Sequence, residues 1–202
     1  MTLNTEQRDS SQPSELELRF NLDVEFRAED DTARTVKGYA AVFNSKTKIR
    51  MYGDHSFEEW FNPGCFSETL SKKLDVRFLV EHHPYKLLAR AGAGSLILAE
   101  DQRGLAFESH LPDTTLGRDT YENIRNKNYP GMSFGFRPVK NRPEYDERGR
   151  LIRVQHDKVD LSEITVTSMP YYSKTSVAVR SLATRPAPDN LALRARLAQL
   201  KG

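Results

Sequence analysis

Residues 16–26 alternate without a break. Leu16, Leu18, Phe20, Leu22, Val24 and Phe26 are apolar, and every residue between them is polar. A period of two puts the apolar set on one face of a half-buried strand. Further strand-like runs are predicted over residues 36–43, 76–82, 95–99, 105–111, 132–139, 151–154 and 161–167. Asp146-Glu147-Arg148-Gly149 reads as a hairpin tip, with Gly149 able to take a positive φ. Two helices interrupt the strands. One is predicted over 66–73, after Pro63-Gly64. The other spans 114–128, after Pro112 and with Asp113 as its N-cap. Many strands and few helices predict a mainly β fold with flanking helices. The expected architecture is a closed or nearly closed antiparallel β-barrel wrapped by helices.

The 202 residues suffice for one core. Residues 1–15 are polar and read as a disordered leader. Residues 16–181 form the expected folded domain. Residues 182–202 hold Pro186 and Pro188, then leucines among arginines, and read as a basic tail with a short helix. A net charge of +2 does not point to nucleic acid. A single cysteine, Cys65, rules out an internal disulfide and suits a reducing compartment. No apolar run reaches the roughly 18 residues of a membrane span, and the first twenty residues lack a signal-peptide core. The expected setting is a cytoplasm, or a particle assembled there, with no membrane partner.

The most informative segment is Gly131-Met132-Ser133-Phe134-Gly135-Phe136. On a strand, Met132, Phe134 and Phe136 share a bulky face. Gly131, Ser133 and Gly135 share the other, which is bare except for one hydroxyl. Glycine in a strand often marks a close approach by a ligand or another backbone. A nucleophilic serine needs such clearance. The same pattern also suits a glycine-rich strand packed under a loop, with an incidental serine.

A base for Ser133 must come from elsewhere. His82 ends the run Val76-Arg77-Phe78-Leu79-Val80-Glu81-His82 and continues its apolar face, whereas His83 faces the other way. A partly buried imidazole suits general-base work, and equally suits a core histidine bonded to a carbonyl. A third group usually orients such a base. Glu163 is the first candidate, because Glu163, Thr165 and Thr167 form a polar row opposite Ile164 and Val166; a solvated strand face would look the same. His156 and Asp160 are alternatives. Backbone amides near Arg90 or Gly92 are candidate oxyanion donors. Metal chemistry is not expected, since neither HExxH nor a cysteine pair is present. No phosphate-binding loop or dinucleotide fingerprint occurs, so no cofactor is expected.

Taken in order, these segments resemble the prohead (capsid maturation) serine proteases of tailed bacteriophages. Gly38-Tyr39-Ala40-Ala41-Val42-Phe43-Asn44 looks like that family's early strand. Phe61-Asn62-Pro63-Gly64-Cys65-Phe66 looks like its turn into a helix. Residues 76–90 look like its histidine block, and Leu111-Pro112-Asp113-Thr114 precedes its long helix. The Ser133 segment matches its serine motif. Residues 161–167 and then Pro170-Tyr171-Tyr172 resemble its closing block. The likeness covers about 35–181. It departs where the family commonly has Asn-His-Asp and this chain has Glu81-His82-His83. It departs again where the family has a glycine and this chain has Ala89.

The resemblance implies a fold like that of the herpesvirus assembly proteases. It implies catalysis by Ser133 and His82, with Glu163 where the family carries an acid. It implies cleavage of scaffold, or of the scaffolding segment of the major capsid protein, inside the procapsid in the host cytoplasm. Self-cleavage is implied too, and the herpesvirus relatives suggest a homodimer. The basic tail is expected to dock the enzyme or be trimmed by it. Two other classes fit the same composition: a non-catalytic scaffold or structural capsid protein, and a nucleic-acid-binding barrel. The few basic residues near the serine motif weigh against the second.

Overall fold

A computed structural model describes residues 15–21, 26–30, 33–51 and 55–168. The leader before residue 15, the basic tail and Pro170-Tyr171-Tyr172 lie outside the described residues. Eleven strands run in chain order among the described residues: β1 (Glu17–Asn21), β2 (Phe26–Asp30), β3 (Thr35–Val42), β4 (Thr47–Arg50), β5 (Ser56–Phe61), β6 (Arg77–Val80), β7 (Leu87–Arg90), β8 (Leu96–Glu100), β9 (Gly104–His110), β10 (Gly131–Tyr145) and β11 (Leu151–Thr167). Helix α1 (Ser67–Ser71) lies between β5 and β6, and α2 (Thr115–Arg125) between β9 and β10.

The mainly β expectation stands, but the closed barrel does not. The strands form two sheets, and neither closes on itself. One has four strands in the order β2-β3-β9-β8. The other has seven, with β1-β10-β11-β5-β4 as its path and β6-β7 attached to β11. Nor is it purely antiparallel, because β5 and β6 both pair parallel to β11. The cause lies in β11. It is one strand of 17 residues where two short ones were expected. Its first half pairs with β5 and its second half with β6, while β10 runs along its whole other side.

The run 16–26 also departs from expectation. It is divided between β1 and β2, which belong to different sheets. Among the described side chains of β1, Glu17 and Arg19 are the buried ones, and the preceding Leu16 is 40 % exposed. Helix α1 is shorter than predicted. In α2 the cap is Thr114 rather than Asp113: its hydroxyl accepts from the Gly117 amide at 3.1 Å, and Asp113 instead pairs with Arg118 and Arg34. Gly149 does hold a positive φ, of 74°, at the β10–β11 hairpin.

Met132, Phe134 and Phe136 are buried, as their shared face predicts. The Phe61 ring meets Phe134 and Phe136 edge-on at 5.0 and 5.1 Å between centroids. Such pairs add roughly 0.5–1.5 kcal/mol each beyond the area they bury. This aromatic layer fixes β10 in place, and with it the residues on its other face.

Candidate active site

Ser133 sits on β10 opposite Thr165 of β11, and Gly135 sits opposite Glu163. In an antiparallel pair, directly opposed residues project to the same side. Register alone therefore puts the Glu163 carboxylate two residues along from the Ser133 hydroxyl. Gly135 makes the room. A Cβ there would lie 2.8 Å from Glu163 Cγ, closer than real Cβ contacts come.

The structure brings His82 between them. Its Nε2 is 2.6 Å from Ser133 Oγ, and its Nδ1 is hydrogen-bonded to Glu163 Oε1. The imidazole and the carboxylate are 13 % and 12 % exposed, and Ser133 is fully buried. His82 gets there by a route the alternation did not indicate. Strand β6 ends at Val80. Glu81 and His82 then take left-handed φ values of 52° and 55°. Two successive non-glycine residues in that region cost on the order of 1 kcal/mol each or more. Local bonds offset the strain. The Glu81 carboxylate accepts from the Ser168 amide and hydroxyl, each at 2.6 Å, and from the Thr167 hydroxyl at 2.7 Å. Burial pushes the Glu81 carboxyl up, but these bonds outweigh it and hold it below the usual range. The His82 amide donates to Thr165 Oγ1 at 3.2 Å. The turn thus swings the imidazole across β11 to the serine.

The other candidates lie elsewhere. His156 is buried and shares a 2.9 Å hydrogen bond with Glu59 of β5. Asp160 is opposite Arg137, beyond the register shift that follows Gly135. The amides proposed as oxyanion donors are occupied: Arg90 N–H donates to Ser95 Oγ and Gly92 N–H to Asp75 Oδ1, each at 3.0 Å. Cys65 is buried, and burial pushes its thiol up, so it is no rival nucleophile.

Two features went unforeseen. Strand β1 pairs along β10, with Phe20 opposite Ser133, and the Arg19 carbonyl accepts from Ser133 Oγ at 2.8 Å. Beside it is a buried charge network. The Arg19 guanidinium bonds both Glu59 oxygens, at 2.8 Å from Nη2 to Oε1, and also Glu17. Burial pushes Glu59 up, but Arg19 and His156 outweigh it and hold the carboxyl at about 2. For Glu17 burial wins, and its carboxyl is raised. Charges on a strand otherwise apolar at alternate positions read as solvent-facing, so the sequence carried no sign of this network.

A hydroxyl, an imidazole and a carboxylate in line can activate the hydroxyl oxygen for attack on an acyl carbon. No curated protein and no solved structure matches the chain. Residues 22–188 match the family model described as caudovirus prohead serine protease. That match spans most of the 202 residues, and the chain belongs to the prohead serine protease family of the tailed bacteriophages.

Proposed function

We propose that Ser133 is the nucleophile, His82 the general base and Glu163 the group that orients the base. The observation carrying this reading is the line of hydrogen bonds from Glu163 through both ring nitrogens of His82 to Ser133. His82 Nε2 takes the Ser133 proton as Oγ attacks a scissile carbonyl. The same nitrogen then delivers the proton to the leaving amine. Glu163 holds Nδ1 and stabilises the imidazolium that forms. A water molecule hydrolyses the acyl-enzyme by the same route in reverse.

The substrate is scaffold, or the scaffolding segment of the major capsid protein, cut inside the procapsid. Family membership supports that setting. The chain also cuts itself, and the enzyme works as a homodimer. Co-expression with the capsid precursor, followed by mass spectrometry of the products, tests the reading. Ser133→Ala should abolish processing while the chain stays folded by circular dichroism. Undiminished processing by that variant would remove Ser133 from the mechanism.

A further inference from the structure

Strand β1 is one edge of the seven-stranded sheet, and β10 is the strand it pairs with. Ser133 is fully buried, and its hydroxyl donates to the Arg19 carbonyl of β1 at 2.8 Å. An extended segment added to a sheet edge is a common way to bind peptide, with backbone bonds giving affinity and alternate side-chain pockets giving selectivity. Strand β1 has that form. Its Arg19 carbonyl meets the Ser133 hydroxyl, and the Arg19 side chain fills a pocket built by other strands.

That pocket suits arginine. Glu59 of β5 meets the guanidinium with both oxygens, the two-pronged geometry that a planar guanidinium favours over an ammonium. His156 of β11 fixes the Glu59 carboxylate, and the Phe136 ring lies 5.4 Å from the guanidinium carbon. A cavity lined by Thr47, Phe61 and Phe134 adjoins the pair. Glu59 is 1 % exposed, so a neutral side chain in place of arginine would leave a buried carboxylate without its cation.

We propose that β1 lies in the substrate channel, that Arg19 is the residue on the acyl side of a bond cut by Ser133, and that Glu59 makes the enzyme specific for arginine there. The inference rests on the catalytic assignment above. In the arrangement seen, the single Ser133 proton has two acceptors, the Arg19 carbonyl and His82 Nε2. For reaction it passes to His82. Ser133 Oγ bonds to the Arg19 carbonyl carbon, the Arg19–Phe20 bond breaks, and the Phe20 nitrogen leaves with that proton. Water then cleaves the ester, leaving Arg19 as a carboxylate and restoring the serine.

The test uses the full chain and two peptides spanning residues 15–25, one natural and one carrying Arg19→Leu. The natural peptide should be cut between Arg19 and Phe20. It should be cut at least about 30-fold faster than the leucine peptide, the lower end of what loss of one partner of a buried charge pair costs. The Glu59→Gln enzyme should lose at least about 30-fold on the natural peptide yet still react at Ser133 with a fluorophosphonate, which shows an intact site. The peptide comparison does not depend on how that variant folds. Equal rates on the two peptides overturn the proposal. So does an uncut natural peptide when the capsid precursor is cut in a Ser133-dependent way; the protease reading then survives. Ser133-dependent cleavage of neither peptide nor precursor removes both.

Discussion

Replacing Gly135 by alanine puts a methyl group against Glu163, the residue proposed to orient the base. The new Cβ would lie 2.8 Å from Glu163 Cγ and 3.2 Å from Glu163 Oε1, with Leu18 Cδ2 at 3.1 Å. The Glu163 side chain must then shift by several tenths of an ångström, and its Oε1 is the atom bonded to His82. A displacement of about 1 Å in a catalytic array can cost about 10²-fold, and losing the orienting carboxylate altogether about 10⁴-fold. A shift of several tenths of an ångström falls short of that ~1 Å, so the expected fall in kcat/KM is about 10-fold to 10²-fold. The fold should suffer less. Overpacking costs about 1–3 kcal/mol, and the stiffer unfolded chain returns about 0.4–1 kcal/mol, because Gly135 does not use a positive φ. The assay is cleavage of a peptide from the capsid precursor, with urea unfolding alongside. The loss should also overlap with that of Glu163→Ala, so that the double variant is little worse than the carboxylate deletion alone. Unchanged kcat/KM in Gly135→Ala, or full additivity with Glu163→Ala, would refute the role given to the glycine gap.

Glu81→Ala removes the acceptor of three hydrogen bonds that hold the left-handed turn. It should cost about 2–3 kcal/mol and lower activity, read by urea midpoint and peptide cleavage. Acid should weaken the fold through Glu59. Its carboxyl is held at about 2 against 4.5 for an ordinary glutamate, so its contribution is present above about 4.5 and lost as pH falls toward 2. The displacement is worth about 3 kcal/mol, and urea midpoints between pH 5 and 2 should show it in the parent and not in Glu59→Gln. Glu17 works in the opposite direction. Its raised carboxyl favours the fold at low pH and loses that contribution as pH rises through its folded value. Glu17→Gln should therefore raise the urea midpoint at pH 8, and a lowered midpoint there would contradict the burial penalty assigned to it.

The parts of this molecule that were legible in the sequence are those set by local periodicity. The bulky face of Met132, Phe134 and Phe136 is in the core because a period of two dictates it. The glycine gap opposite Glu163 was visible as bare positions around Ser133. That the sheets stay open rather than close into the expected barrel was not legible, because it depends on which edges meet. A single 17-residue strand serving two parallel partners leaves no local mark. His82 was singled out as a strand residue on an apolar face, yet it reaches Ser133 from a left-handed turn; Phe78, Leu79 and Val80 are all buried, and no alternation continues to His82. The Arg19–Glu59 pair was hidden for another reason. Polar residues at alternate positions look solvated unless their partners, 40 residues away, are already known.

The account depends on Ser133 being an activated hydroxyl. Reaction of the full chain with a fluorophosphonate, followed by peptide mapping, measures that most directly. The adduct should form on Ser133 and should vanish in His82→Ala. An adduct on another residue, or one on Ser133 that forms equally fast without His82, would contradict it.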